Sequence, residues 1–229
     1  MTNIAALAIT ALVILLFTFL RKSRARAEAK ATEQNLAFET LLDAQGFQTS
    51  DPQDSCLTPV IAALATTNKS IHSDSAYKHR TRKDEYVCRL HSSGGESITN
   101  HLVVTVPRRN STNEDWIIYS TPSIIGFAAK MLQKVFDITL KEAGYRSIES
   151  PFHNQGNATI FIYTKGGSGI PACVDSRLIQ ALSEHGSVIL RTAGNMLLIE
   201  ELVSLKRGEP LAEELQTLLK IAESLKPLV

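Results

Sequence analysis

SIIGFAAKMLQKVFDITLKEA, residues 123–143, is the segment with the clearest helical pattern in the chain. Polar side chains recur in it at spacings of three and four, which aligns them along one side of a helix. The polar positions are Lys130, Gln133, Lys134, Asp137 and Lys141, and the apolar positions are Ile124, Ile125, Phe127, Ala128, Met131, Leu132, Val135, Phe136 and Leu140. Gly144 follows and suits the residue after a helix end, because glycine accepts a left-handed backbone. The segment is therefore predicted to be an amphipathic helix with a wide buried face.

Short segments rich in β-branched and aromatic residues lie on both sides of this helix. They are residues 85–91, 101–107 and 116–120 before it, and residues 158–164, 188–192 and 196–202 after it. Ala193-Gly194-Asn195 joins the last two and favours a tight hairpin turn, since glycine and asparagine tolerate positive φ. Further helical patterns occur at residues 58–68, 176–184 and 210–225. Strands that come in adjacent groups, accompanied by helices, predict an α+β domain with a mainly antiparallel sheet packed with amphipathic helices. Residues 48–55 and 68–83 lack an apolar period and are predicted to be loops.

The N-terminus contains an apolar run, residues 4–20, in which only Thr10 and Thr18 are polar. As a helix it would be about 25 Å long, the short end of what crosses a bilayer. Four basic residues follow directly: Arg21, Lys22, Arg24 and Arg26. A signal peptide carries its positive charge before the apolar run, whereas basic residues beside a membrane span stay on the cytoplasmic side. We therefore predict that residues 1–20 are a transmembrane anchor in a cell (inner) membrane. The short N-terminus is predicted to lie outside and the remainder of the chain in the cytoplasm.

Residues 21–46 are rich in strong helix formers and contain neither glycine nor proline before Gly46. Apolar residues at helical spacing occur only in the second half, around Phe38 and Leu42, which is too little for a coiled coil. The segment is predicted to be a basic flank followed by a helical stalk. Residues 47–229 are predicted to form one cytoplasmic α+β domain, since this length can bury a core of its own.

The charge balance and the cysteines exclude several classes of function. The formal net charge is +1, but four of the 24 basic residues lie in the flank, which leaves 20 basic against 23 acidic residues in the body. An acidic body has no general attraction for nucleic acid, so no nucleic-acid partner is predicted. Cys56, Cys88 and Cys173 form no CxxC pair, which indicates free thiols in a reducing compartment. The six histidines lack metal-ligand spacing, so neither a metal nor another cofactor is predicted.

Two sets of residues are candidates for chemistry. Gly166, Gly167 and Gly169 lie in a loop between a strand and a helix, the position of a phosphate-binding loop. The dinucleotide and Walker patterns both fail there, so the glycines stay candidate cofactor-binding residues beside the alternative of a surface connection. Cys88 and His101 are the candidate catalytic residues, since a register could bring them to one face of a sheet. His91 lies three residues after Cys88 and faces the other side of a strand.

A second group of basic residues, Lys78, Arg80, Arg82 and Lys83, is the one local concentration of charge in the body. Tyr77 and Tyr86 flank it, a pattern also compatible with stacking on nucleic-acid bases. Contact with anionic headgroups is worth about 1 kcal/mol per basic residue near a membrane. These four residues and Arg21, Lys22, Arg24 and Arg26 are therefore candidates for a membrane surface, with a solvated loop as the alternative.

The sequence favours a single-pass membrane protein whose cytoplasmic domain binds a protein partner or the membrane surface and is not an enzyme. The anchor and the core patterns support this interpretation, because no nucleophile, metal or phosphate motif is complete. The alternative is a membrane-anchored enzyme or small-ligand-binding domain whose site is assembled from distant residues. A third hypothesis is a module that binds lipid through both basic groups.

Overall fold

The computed structural model describes residues 2–51, 57–65, 71–94, 97–108, 115–123, 127–149, 154–155, 157–167, 169–171, 174–201 and 211–228. Side chains at 2–20, 72, 91–94, 97–100, 127, 129 and 154–155 are not among those described. The helices in these ranges are α1 (Thr2–Ala44), α2 (Thr58–Ala65), α3 (Phe127–Lys141), α4 (Ser176–His185) and α5 (Leu211–Leu225). The strands in these ranges are β1 (Phe47–Ser50), β2 (Ile71–His79), β3 (Tyr86–Gly94), β4 (Ser97–Pro107), β5 (Asp115–Pro122), β6 (Arg146–Ile148), β7 (Asn154–Gln155), β8 (Ala158–Lys165), β9 (Val188–Ala193) and β10 (Met196–Glu201).

The strands form one antiparallel sheet in the order β1-β2-β3-β4-β10-β9-β5-β8-β6, and β7 pairs with β8. Consecutive strands mostly lie side by side, because each follows its predecessor through a hairpin or a single helix. The prediction of an α+β fold with an antiparallel sheet is confirmed. The hairpin at Gly194-Asn195 is also confirmed, since Ala193 pairs with Met196 across it.

Helices cover both faces of the sheet. The last turns of α1 pack with α4 and α5 on one face, around Trp116 and Val104. On the other face α2 packs over Cys88 and Val103, and α3 packs over Tyr119 and Phe161. Val103 and Val104 enter different clusters because successive side chains of a strand point to opposite faces. Both faces are thus buried, which accounts for the nearly continuous apolar runs in the strands.

Two predicted loops are wrong. Residues 71–79 form β2, which lies between β1 and β3, and residues 47–50 form β1. Ala76 of β2 is fully buried against Cys88 of β3, whereas Asp74 is exposed where the pairing register shifts between Ser73 and Ser75. An extra residue in one strand shifts which side chains face the core, and that breaks the apolar alternation by which a strand is predicted.

Residues 21–46, predicted to be a basic flank and helical stalk, are helical as far as Ala44 and form the second half of α1. Side chains 21–33 are all exposed, whereas Phe38 and Leu42 are 1% and 2% exposed and belong to the core. α1 ends at Ala44, and Gly46 adopts φ of 84°, a left-handed conformation that suits glycine after a helix. The packed unit therefore begins within the last turns of α1.

The predicted anchor, residues 1–20, has side chains outside the described set, and it stays a prediction. In the part of the chain whose side chains are described, no helix has both the length and the apolar character to cross a membrane.

Candidate functional site

The exposed side of α3 carries an apolar stripe. Met131, Val135 and Ile138 are 48%, 54% and 60% exposed, and their spacings of four and three align them along the helix. The prediction of a wide buried face is wrong for Ala128, Met131 and Val135. A flat sheet contacts only a narrow arc of a helix, so much of a wide apolar arc stays outside. We refer to Met131, Val135 and Ile138 as the α3 stripe.

The opposite side of α3 is held firmly on the sheet. Phe136 stacks on Tyr119 with ring centroids 4.0 Å apart, and its edge contacts Phe161 at 5.7 Å. Leu140 is fully buried in the same cluster. Burial of such side chains stabilises a structure by about 1.5–3 kcal/mol each. The α3 stripe is therefore presented by a fixed helix.

Lysines border the α3 stripe. Lys130, Lys134 and Lys141 are exposed. Lys141 lies beside β6, and spacings of four and seven align Lys134 and Lys130 with it along the helix. Asp137 is the sole acid of α3, and its Oδ1 atom accepts a hydrogen bond of 2.9 Å from the Tyr163 hydroxyl. This border, which we call the lysine flank, gives the exposed side of α3 a net positive charge.

A cavity of about 560 Å³ lies between the C-terminal end of α3 and β6. Its lining includes Asp137, Lys141, Tyr145, Arg146, Ser147 and Tyr163. Burial raises the pKa of Tyr163, and the hydrogen bond to Asp137 raises it further. Burial likewise raises the pKa of Tyr145, with a further contribution from Asp115. Both phenols are therefore neutral hydrogen-bond donors at ordinary pH.

Comparison with known proteins yields little. No protein-family model and no curated protein matches the chain. Among solved structures, the crystal structure of the mycobacterial trehalose monomycolate transport factor A, TtfA, is similar with 12% sequence identity and a TM-score of 0.47. The likeness covers 86% of this chain and 96% of that one. It is too distant to carry an inference about this chain.

Cys88 and His101 share one face of the sheet but do not form a reactive pair. Cys88 pairs with Val103 and Leu90 pairs with His101, so the two side chains are diagonal neighbours, about 7–8 Å apart. Burial raises the pKa of the Cys88 thiol to about 12, which keeps it protonated and unreactive. Burial lowers the pKa of His101, and Glu200 acts against that shift. The His91 side chain lies outside the described residues.

The candidate glycines lie in the loop after β8. Gly166 adopts φ of 82°, and an added Cβ atom at Gly166 or Gly169 would meet nothing within 4 Å. Three strands separate β8 from β4, so the loop is about 19 Å from His101 in the plane of the sheet. The structure does not bring Gly166, Gly167 and Gly169 together with Cys88 or His101. Among the described residues, no group of three or more His, Cys, Asp or Glu could hold a metal ion.

The two groups of basic residues are far apart along α1. One group lies on its exposed part, and the other lies beside its docked C-terminal end. Arg21, Lys22, Arg24 and Arg26 are exposed on its free part, where Arg24 pairs with Glu28 at 2.9 Å. Lys78 lies near the end of β2, and Arg80, Arg82 and Lys83 lie in the turn between β2 and β3. The Arg80 amide donates to the Gly46 carbonyl at 2.9 Å. Residues 26 and 43 are separated by about 25 Å along a helix.

Carboxylates engage two of the cations in the turn between β2 and β3. Arg80 forms an ion pair with Asp43 at the end of α1. Arg82 pairs with Glu223 at 2.8 Å and with Glu85 at 3.3 Å. These contacts join the turn to α1 and α5.

His79 stabilises the same turn in its neutral form. It is 8% exposed, and its Nδ1 atom accepts hydrogen bonds from the amides of Thr81 and Arg82 at 3.2 and 3.1 Å. Burial and the nearby Arg82 guanidinium lower its pKa from 6.5, although Glu85 acts in the opposite direction. Protonation of Nδ1 would remove both acceptor contacts.

We expect the free energy of unfolding to fall as the pH drops below 6.5 toward the lowered pKa of His79. In this window the unfolded chain binds more protons than the folded one, so stability is gained as pH rises. His79→Asn keeps an acceptor near Nδ1 but cannot titrate, whereas His79→Ala should cost about 2 kcal/mol at neutral pH. Urea titrations at about pH 5 and pH 7.5 measure both effects. An Asn variant with the same pH dependence as the wild type would contradict this assignment.

Proposed function

We propose that this protein is a single-pass membrane protein whose cytoplasmic α+β domain binds a protein partner through the α3 stripe and catalyses no reaction. The observation that carries the proposal is an apolar stripe, about half exposed along its length, on a helix whose other side is packed on the sheet. Exposed apolar surface in a line at helical spacing is typical of helix-in-groove or helix-on-helix recognition.

The charge of the lysine flank indicates which class of partner would bind. The lysine flank and the α3 stripe lie side by side, and the sole acid of α3 is engaged by Tyr163. A partner helix with apolar residues at similar spacing and acidic residues along one side would complement both. Opposite charges across an interface accelerate association and discourage basic partners. We therefore propose an acidic amphipathic helix as the occupant.

The tether supports a location beside the membrane. Residues 4–20 are apolar in sequence, residues 21–33 are exposed, and Phe38 and Leu42 are part of the core. The exposed part of α1 is about 20 Å long. We propose that it holds the domain off the bilayer and that lipid contact is confined to Arg21, Lys22, Arg24 and Arg26. The ion pairs of Arg80 and Arg82 support a separate, structural role for the other basic group.

A photocrosslinking amino acid at Val135 tests the proposal in cells that produce the full-length chain. We expect a discrete protein adduct, because Val135 is at the centre of the α3 stripe. Lys134→Glu should reduce its yield at least about fivefold, since the reversed charge repels an acidic border. Mass spectrometry should place the crosslink in an acidic amphipathic helix of the partner.

Leu36 supplies the matched control, because it is equally apolar, 65% exposed and located on α1. The same crosslinker at position 36 should give no such adduct. Lipid adducts alone at Val135 would show that α3 lies on the membrane, and a basic partner segment would contradict the proposed occupant. Either result would overturn the proposal.

A further inference from the structure

We propose that the cavity between α3 and β6 binds a phosphate monoester that carries a neighbouring hydroxyl group. The cavity is about 560 Å³, the size of a small-molecule site, and its lining includes three charged and three hydroxyl-bearing side chains. Its walls come from two rigid elements, since α3 is anchored by Phe136 and Leu140 and β6 is paired with β8. This inference does not depend on the proposed protein partner.

The cations of the cavity match a doubly charged anion. Lys141 and Arg146 line it. Lys165 is not part of the lining, but its Nζ atom lies 5.8 Å from the centroid of the Tyr145 ring. The lining thus contains two cations and one carboxylate, Asp137, and just outside it Lys165 and Asp115 both act near Tyr145. A phosphate monoester carries about −1.5 to −2 charges at neutral pH, and arginine and lysine are its usual partners.

The Asp137 carboxylate and the Tyr163 phenol are the reason for proposing a hydroxyl group on the ligand. Asp137 accepts from Tyr163 through Oδ1, and a carboxylate has capacity for further donors. Tyr163 is 1% exposed and packed in the cluster under α3, so the hydroxyl that donates to Asp137 has a fixed position. A ligand that is only an anion would be repelled by Asp137. A ligand with a hydroxyl beside its phosphate would satisfy both sides of the cavity.

Calorimetric titration of the full-length chain in mild detergent separates these contributions. The probes are glycerol 3-phosphate, inorganic phosphate, which lacks the hydroxyls, and glycerol, which lacks the anion. We expect glycerol 3-phosphate to bind at least about tenfold more tightly than either fragment. Arg146→Gln and Lys141→Gln should each weaken it about tenfold, as expected for loss of a hydrogen bond to a charged group. Asp137→Asn should remove the preference over inorganic phosphate.

Lys130→Gln is the matched control, because Lys130 is on the same side of α3 but eleven residues from Lys141, about 16 Å along the helix. It should leave the affinity unchanged. Nanodiscs that contain phosphatidic acid test a lipid source of the same phosphate chemistry, and Arg146→Gln should weaken their binding only if a headgroup reaches the cavity. Absence of saturable glycerol 3-phosphate binding at millimolar concentration, or binding unaffected by Arg146→Gln and Lys141→Gln, would overturn the proposal.

Discussion

Glu200→Leu is expected to lower the free energy of unfolding by about 3–5 kcal/mol, because it leaves the charge of Arg191 buried without its carboxylate. The two residues are 3% and 6% exposed, and Arg191 Nε lies 2.7 Å from Glu200 Oε1. Arg191 also donates to the carbonyl of Ala63 at 3.1 Å, which joins β9 to α2. The pair therefore lies at the seam between the two clusters on this face of the sheet.

The double variant Arg191→Met/Glu200→Leu should be far milder than the single change, since apolar side chains of similar volume often replace a buried ion pair at little cost. Urea unfolding of the full chain in mild detergent, followed by the fluorescence of Trp116, provides the measurement; it is the single tryptophan and is fully buried. Glu28→Gln is the control, because its pair with Arg24 is largely exposed and should change stability by less than about 0.5 kcal/mol. A double variant as unstable as Glu200→Leu would contradict this account.

Phe38→Ala should cost about 3–5 kcal/mol, because it opens a cavity where α1 joins the domain. Phe38 is 1% exposed, its ring meets the edge of Tyr77 at 5.8 Å, and the Arg89 guanidinium lies 5.9 Å from the ring centroid. The same unfolding measurement applies. Leu36→Ala, two residues away but 65% exposed, should change stability by less than about 0.5 kcal/mol. Equal effects of the two substitutions would show that α1 does not dock as described.

The sequence predicted the elements whose signals are local. Residues 176–184, with Asp175 before them, were predicted as a helix, and the Asp175 carboxylate accepts from the amides of Arg177 and Leu178 at its start. The hairpin at Gly194-Asn195 depends on turn chemistry that two residues specify. Once that turn is fixed, the register places Arg191 and Glu200 diagonally on one face. The buried ion pair could thus have been predicted, although the apolar context of both strands concealed it.

Other features depend on contacts between distant segments. β2 has four consecutive polar residues, 72–75, so its sequence shows no strand period, and only its pairing with β3 identifies it as a strand. The apolar arc of α3 is wide, and nothing in its period tells which part meets the sheet, so Met131 and Val135 were expected to be buried. The cavity draws on Tyr163 of β8 and Arg146 of β6, which come together through strand pairing alone. No local pattern marks these residues.

The unbroken course of α1 affects how the domain would search for a partner. α1 is helical without interruption from the basic flank to Phe38, which is buried in the core. In the proposed topology, such a helix keeps the domain at a nearly constant distance from the membrane and restricts its tilt. Tethering of this kind raises the effective concentration of the domain near partners that the linker can reach, and it prevents binding to partners that the linker cannot reach. Inserting a flexible glycine-rich segment into residues 28–32 would widen the range of that distance while leaving every contact of the domain intact. In the unmodified chain, the length of α1 would therefore determine how far from the membrane a partner has to lie in order to bind.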